Sequence, residues 1–293
     1  MDLLTFEVAD RFLEKTQSWL EEREAENSLM LGIAFRLQKY PERFKAQPFL
    51  GCVEHAGTLR VVAVMTPPHN LILAGQPDEA ALQALVSGLL QQAWSLSGVV
   101  GPEEISRTFA GIWTKATGTS SKPKLRMRLY QLDQVIQPAP VPGEFRVARQ
   151  EDIPLLTEWM AAFQEEALHE SINMQEIHRQ AEIMVADGQA FIWVNGEPAS
   201  MAASARPTHN GVTVNAVYTP PEKRRKGYAS ACVATLSQHL LDSGYTFCCL
   251  FTDLANPTSN HIYMDIGYRP VCDFEEQRFD MSVPESSSGK EGG

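Results

Sequence analysis

The feature that most constrains this chain is a strand, a basic loop and a helix start that follow one another directly. Val217 and Tyr218 end an apolar stretch, two prolines interrupt it, and four consecutive cations occupy residues 223–226. Gly227 then opens a run of small residues. A helix N-terminus presents backbone N–H groups without intrahelical acceptors and the positive end of the helix dipole, and glycine lets a ligand approach closely. The segment therefore predicts an anion site that suits a phosphate.

Clustered cations also occur in solvated turns, localisation signals and nucleic-acid patches. The formal net charge is −11, so most of the surface would repel a nucleic-acid backbone, and no nucleic-acid partner is expected. A helix after Gly227 is supported by apolar residues at helical spacing before a stop at Gly244: Ala229, Cys232, Val233, Leu236, Leu240 and Leu241. This context favours the phosphate loop.

The spacing Arg224-x-x-Gly227-x-Ala229 resembles the diphosphate loop of the GNAT acyltransferase superfamily, Arg/Gln-x-x-Gly-x-Gly/Ala. Roughly 30 residues later, a second segment is similar to the superfamily motif Asn-x-x-Ser/Ala-x-x-x-Tyr-x-x-x-Gly-Phe/Tyr. It matches at Asn256, Ser259, Tyr263, Gly267 and Tyr268. The resemblance covers about residues 145–279, whereas the N-terminal half matches by layout alone.

Within the second segment, Asn256, Asn260 and Tyr263 are spaced i, i+4 and i+7, so they share one face of a predicted helix. Asn256 before Pro257 is typical of a helix N-cap. Taken singly, the three residues are better explained by structural roles, as a cap, a solvent-facing residue and a core tyrosine; the motif as a whole favours a site.

The resemblance implies an N-acyltransferase that moves an acetyl group from acetyl-CoA to a primary amine by direct attack in a ternary complex. It implies Tyr263 as the general acid that protonates the departing thiolate. The implied cofactor-binding residues are Val217, Tyr218, Arg224, Arg225, Lys226, Gly227, Tyr228, Ala229, Ser230, Asn256 and Asn260. In this scheme the loop holds the diphosphate, a backbone N–H near Val217 polarises the thioester carbonyl, and the two asparagines bind the pantetheine arm.

The sequence does not identify a general base. The strand position where many superfamily members carry a catalytic glutamate corresponds to Asn215, which cannot act as a base. Chemistry alone leaves five candidates: Glu165, Glu166, His169, His209 and Asp253. A base from another element, a water relay and an amine that needs little help all stay open.

The missing base keeps a second hypothesis open, a non-catalytic CoA-binding sensor or scaffold of the same fold. A nucleotide hydrolase is disfavoured because neither GxxxxGK[ST] nor GxGxxG occurs. The identity of the acceptor amine is not encoded in any recognisable motif, although the acidic net charge weakly favours a cationic substrate.

The expected fold is α/β (α+β), with two GNAT-like domains in tandem, each a mixed, mostly antiparallel sheet flanked by helices. A proline-rich linker at 137–143 separates a domain at 1–136 from the catalytic domain at 144–282, and a disordered tail follows at 283–293. Similar spacing after Phe49 and after Phe191, ending in His-Asn both times, supports a repeat. Acidic residues replace the cations after Gly75, so the first half is predicted to be degenerate.

The remaining sequence features concern compartment and assembly. The five cysteines form no CxxC or Cys/His metal pattern, so free thiols and no metal site are expected. No stretch approaches the roughly 20 apolar residues of a membrane span, and the N-terminus has no basic leader. The expected protein is cytoplasmic, without membrane association, and a monomer or homodimer.

Overall fold

The computed structural model describes residues 1–168 and 172–280 of the chain. The predicted tail at 283–293 and the base candidate His169 lie outside the described residues. The chain forms two compact units. Within the described residues, the first unit comprises 1–22, 36–126 and 273–280, and the second comprises 23–35 and 127–272.

The secondary-structure elements of the first half alternate between strands and helices. They are β1 (Asp2–Thr5), α1 (Ala9–Glu21), α2 (Ser28–Lys39), β2 (Phe49–His55), β3 (Thr58–Met65), β4 (Leu71–Gly75), α3 (Glu79–Gln91), β5 (Gly98–Pro102), α4 (Glu103–Thr117) and β6 (Ser120–Leu132). A short 3-10 turn at Pro41–Arg43 follows α2.

The second half repeats this order. Its elements are β7 (Glu144–Val147), α5 (Ile153–Phe163), α6 (Met174–Ala186), β8 (Ala190–Asn195), β9 (Glu197–Ala205), β10 (Gly211–Tyr218), α7 (Tyr228–Asp242), β11 (Phe247–Asp253), α8 (Pro257–Ile266) and β12 (Arg269–Asp280). A π-helical stretch at Gln164–Leu168 extends α5. No helix in the described ranges combines the length and apolarity needed to cross a membrane.

The strands of each unit pair in the same pattern. The first unit has the order β1-β2-β3-β4-β5-β12, and the second has β7-β8-β9-β10-β11-β6. In each, the one parallel pair is the fourth strand with the fifth, and the other pairs are antiparallel. The predicted fold, two mixed and mostly antiparallel repeats, is confirmed.

The sixth strand of each unit comes from the other half of the chain. Residues 274–278 of β12 pair with β5, and residues 127–132 of β6 pair with β11. The contact-based units therefore do not follow the boundary drawn along the sequence, since 127–136 lie in the second unit and 273–280 in the first. The domain limits 1–136, 137–143 and 144–282 stay a prediction.

The two faces of the second sheet are covered by different helices. Phe191 and Trp193 of β8 pack in one apolar cluster with α7 and α8. Their neighbours Ala190 and Ile192 pack in another cluster with α5 and α6. Because successive strand residues point to opposite faces, this alternation lets helices pack on both sides of the sheet. Along the chain, α7 is the helix that follows β10, as the sequence predicted.

A buried carboxylate links two distant segments of the second unit. Glu24 is 9% exposed and accepts hydrogen bonds from Thr208 Oγ1 (2.6 Å), the Asn210 backbone N–H (2.7 Å) and Asn210 Nδ2 (2.7 Å). Burial alone would raise the pKa of Glu24, but the hydrogen bonds from Thr208 and Asn210 together lower it below the usual glutamate value.

We expect Glu24→Gln to lower the free energy of unfolding by about 1–3 kcal/mol, because Asn210 and Thr208 lose a charged acceptor. Chemical denaturation of the full chain measures this loss, and Glu26→Gln, which removes a long 3.8 Å ion pair with Arg23, serves as the control. Because the folded-state pKa is the lower one, the Glu24 contribution is present above the unfolded-state pKa and lost as pH falls through the folded-state pKa. Equal stability of the two variants would contradict the prediction.

Candidate active site

The parallel strands β10 and β11 separate before they end. They pair only at Gly211 with Phe247, Val212 with Cys248, and Thr213 with Cys249. β10 continues to Tyr218 and β11 to Asp253 beyond these pairs. Beyond these pairs the backbone groups of the two strands are not bonded to each other, and we call this pair of separated strand ends the cleft edge.

The end of β10 is also irregular on its other side. Its register with β9 shifts between Asn215 and Tyr218, and Ala216 has a positive φ of 48°. A bulge of this kind leaves an extra residue outside the ladder and redirects its backbone groups. The bulge therefore leaves the backbone around Val217 at the cleft edge, and a contact of this backbone with a thioester carbonyl stays a prediction. Asn215 is exposed and Tyr218 is buried.

The basic loop leads into a helix whose N-terminus has no side-chain cap. Gly227 is the N-cap residue of α7, with φ of 81°, and Arg225 two residues earlier has φ of 61°. The first intrahelical bond runs from the Ala231 N–H to the Gly227 carbonyl (3.0 Å). The preceding N–H groups, those of Tyr228, Ala229 and Ser230, have no intrahelical acceptor by helix geometry. This end of α7 therefore suits an anion.

The four cations of the loop differ in their environment. Lys223 forms an ion pair with Glu197, and Arg224 forms one with Glu166 (2.6 Å). Arg225 and Lys226 are exposed, and no residue in the described ranges forms an ion pair with either of them. Two positive charges beside the helix N-terminus are therefore available to a ligand. The Tyr228 hydroxyl accepts a hydrogen bond from Asn195 Nδ2 (2.8 Å).

The asparagines of the second motif hold the start of α8. Asn256 is its N-cap residue and accepts a hydrogen bond from the Ser259 N–H (3.1 Å), which confirms the predicted cap. Asn260 Nδ2 donates to the carbonyls of Asp253 (2.9 Å) and Asn256 (2.7 Å), and Asn260 Oδ1 accepts from the Tyr130 hydroxyl (2.9 Å). Both residues therefore fix α8 against β11, and their contact with a pantetheine arm stays a prediction. Tyr130 belongs to this site and was missed, because it lies in β6, far away in sequence.

Tyr263 lies on α8 with its side chain almost buried. It is 8% exposed, belongs to the apolar cluster that includes Ala231 and Leu250, and makes an edge-to-face contact with Tyr268 (6.0 Å between ring centres). Across the described part of the chain, no group hydrogen bonds to its hydroxyl. The Tyr268 hydroxyl, in contrast, is bonded to Ser237 (2.8 Å). Burial raises the pKa of Tyr263 to about 12, so the phenol keeps its proton at neutral pH.

The base candidates fall into different places. Glu165 and His209 are exposed, and Asp253 Oδ1 accepts from the Ala255 N–H (2.8 Å). Glu166 differs from these because its carboxylate contacts both Arg224 and the Tyr218 hydroxyl. The described contacts thus connect Glu166 to the basic loop. They do not identify any of the candidates as the base.

The first unit has the same arrangement of a parallel strand pair and a following helix, but different side chains at the start of that helix. Its parallel strands pair only at Leu71 with Val99 and Ile72 with Val100. The helix that follows, α3, is capped by the Asp78 carboxylate, which accepts from the Ala81 N–H (3.1 Å). A carboxylate at this position repels an anion.

The first unit also lacks the phenol. Tyr263 is the seventh residue after the N-cap Asn256 of α8, and the seventh residue after the N-cap Pro102 of α4 is Phe109, which has no hydroxyl. Phe109 is fully buried in the apolar core of the first unit.

Comparisons with known proteins agree with this architecture. Residues 193–278 match the FR47-like protein family, and a search of curated proteins gave no match. Solved structures with similar folds include a GNAT-family acetyltransferase from Colwellia psychrerythraea, at 14% identity, covering 95% of this chain and 99% of that chain, with a TM-score of 0.57. They also include a Drosophila protein at 13% identity, covering 95% of this chain and 98% of that chain, with a TM-score of 0.68.

A third similar structure is a tandem GNAT protein from the clavulanic acid biosynthesis pathway. It is 10% identical, with coverage of 95% of this chain and 98% of that chain and a TM-score of 0.53. At these identities the similarity shows the fold. The fold of this chain is therefore similar to that of GNAT acetyltransferases, including a tandem one, and the FR47-like family model matches residues 193–278.

Proposed function

We propose that the chain is an acyl-CoA-dependent N-acyltransferase that transfers an acetyl group from acetyl-CoA to a small-molecule primary amine. The observation that carries the proposal is the uncapped, glycine-started N-terminus of α7, directly after a bulged strand that has parted from its parallel neighbour. When bound, acetyl-CoA would supply a diphosphate for this N-terminus and an activated thioester carbon for the amine.

The donor groups around α7 suit a diphosphate. The backbone N–H groups of residues 226–230 would donate hydrogen bonds to phosphate oxygens. Arg225 and Lys226 would add positive charge, and neither has to leave an ion pair with a described residue to do so. Gly227 in the left-handed region keeps this approach free of a side chain. Arg224 would join the site only after leaving Glu166.

The cleft edge suits the rest of the donor. We propose that the pantetheine arm lies along the backbone of Val217 and Tyr218. The Val217 N–H would then donate a hydrogen bond to the thioester carbonyl. The side-chain amides of Asn256 and Asn260 already hold the start of α8. Each amide oxygen has one further lone pair, which would accept a hydrogen bond from an N–H group of the pantetheine arm.

Tyr263 is assigned to donate its proton to the departing sulfur. Its raised pKa keeps the hydroxyl protonated, and no group among the described residues holds that proton in a hydrogen bond. The attacking nitrogen becomes acidic once it is bonded to the acyl carbon, and it then supplies the proton that restores the phenol.

The test uses the purified full chain with acetyl-CoA and a panel of primary amines, with thiol release followed by Ellman assay. We expect amine-dependent release, and a reaction without amine corrects for the partly exposed protein thiol Cys272. Binding of acetyl-CoA without product from any amine would instead favour the non-catalytic CoA sensor or scaffold. The reason for keeping this alternative is Asn215, whose amide cannot act as a base at the strand position where many superfamily members carry a catalytic glutamate.

A further inference from the structure

Three side chains of the second unit form a small polar cluster beside the basic loop. Glu166 Oε2 accepts from Arg224 Nη2 (2.6 Å), and Glu166 Oε1 accepts from the Tyr218 hydroxyl (3.2 Å). The Arg224 guanidinium also lies 5.7 Å from the centre of the Tyr218 ring. Glu166 belongs to the π-helical stretch at Gln164–Leu168, so this cluster connects that stretch to the loop.

The guanidinium of Arg224 is therefore engaged at several points. Its Nε donates to the Thr219 carbonyl (2.8 Å), which fixes the base of the fork, while one outer nitrogen binds Glu166. Among the described residues, neither Arg225 nor Lys226 has an ion-pair partner. The residue that the motif places at the diphosphate is thus held by a carboxylate, whereas the two cations that follow it are not.

The Glu166–Arg224 ion pair is weak enough for Arg224 to change its partner from Glu166 to a diphosphate. Both side chains are more than 40% exposed (44% for Glu166 and 42% for Arg224), and solvent-exposed ion pairs contribute little stability. A diphosphate carries more negative charge than one carboxylate and matches the planar fork of a guanidinium. The Nε bond to Thr219 can persist while the outer nitrogen changes partner.

We propose that Glu166 is a positioning residue for Arg224, and that a diphosphate bound at the α7 N-terminus takes Arg224 from Glu166. This inference rests on the proposed function and extends it to a residue outside both superfamily motifs. Each binding event then includes the cost of separating Arg224 from Glu166. A variant without this negative charge should bind the same ligand more tightly.

The test is isothermal titration calorimetry of CoA binding to the full chain in low salt. We expect Glu166→Gln to tighten binding about fivefold, the size set by an exposed ion pair. Glu165→Gln is the matched control, because it removes the same charge from the same stretch at an exposed position, and we expect less than about a twofold change. In an Arg224→Gln background, Glu166→Gln should have no effect, since the pair no longer exists.

The outcomes separate the two proposals. If the wild-type chain does not bind CoA, the proposed function fails. If it binds but Glu166→Gln weakens or does not change the affinity, or matches Glu165→Gln, the exchange is overturned and the function stands. A gain that persists in the Arg224→Gln background also overturns the exchange. A purely structural role for Glu166 predicts weaker binding, so the sign of the change discriminates between the two roles.

Discussion

Replacing Gly227 with glutamate is expected to abolish acetyl-CoA binding. Gly227 has φ of 81°, where a residue with Cβ is strained, and a Cβ built there would lie 2.7 Å from Val141 Cγ1. The new carboxylate would also stand at the helix end that we assign to a diphosphate, and facing like charges cost several kcal/mol. Calorimetry should show a loss of more than about 100-fold in affinity.

Gly188→Glu is a matched control for this variant. Gly188 also has a positive φ, 66°, and a Cβ there meets no atom within 4 Å. It adds the same charge and the same kind of backbone strain in the second unit, away from the loop. We expect Gly188→Glu to bind acetyl-CoA like the wild type. Unchanged affinity of Gly227→Glu would refute the assignment of the loop.

Tyr263→Phe is expected to lower kcat by about 100-fold or more while the affinity for acetyl-CoA stays near normal, because only the proton donor is removed. The hydroxyl has no hydrogen-bond partner in the described ranges, so its loss leaves no buried group unsatisfied. Steady-state kinetics with saturating amine, together with calorimetry, separates the rate from the binding. A variant that matches the wild-type rate would show that Tyr263 is not the acid.

Tyr268→Phe is the matched control for Tyr263→Phe, because the two rings are in contact. Its hydroxyl is bonded to Ser237, so its removal is expected to lower stability by about 1 kcal/mol and leave kcat largely unchanged.

The pH profile of kcat gives a second check on Tyr263. Since burial raises the pKa of Tyr263 to about 12, its ionisation should cause no loss of activity between neutral pH and about pH 11.

The sequence predicted those parts of the site that are local. The strand, loop and helix around Gly227 lie within 14 residues (217–230), so turn chemistry and apolar periodicity are visible in one window. The N-cap at Asn256 and the helix stop at Gly267 are local as well, and both are confirmed. The short strand β1 and the π-helical stretch at Gln164–Leu168 were not predicted, since four residues show little periodicity and a π-turn has no recognised pattern.

Contacts between distant residues were not predictable in this way. Tyr130 binds Asn260 across 130 positions, and Glu166 binds Arg224 across 58. Nothing in the sequence around Glu166 distinguishes it from Glu165, and only the fold brings it into contact with Arg224. The same holds for Glu24, whose three hydrogen-bond donors lie more than 180 residues away.

By itself, the sequence predicted two α/β repeats, an anion loop in the second repeat and the loss of that loop in the first, because each feature is encoded in contiguous residues. The two repeats are confirmed, and the anion loop stays a prediction. Only the tertiary structure decided which strand completes each sheet. The registers of β6 with β11 and β12 with β5 depend on pairing between segments far apart in the chain, which no local pattern specifies. It also decided that Lys223 and Arg224 are the loop cations held in ion pairs among the described residues, because an ion pair depends on the side chain that the fold brings opposite.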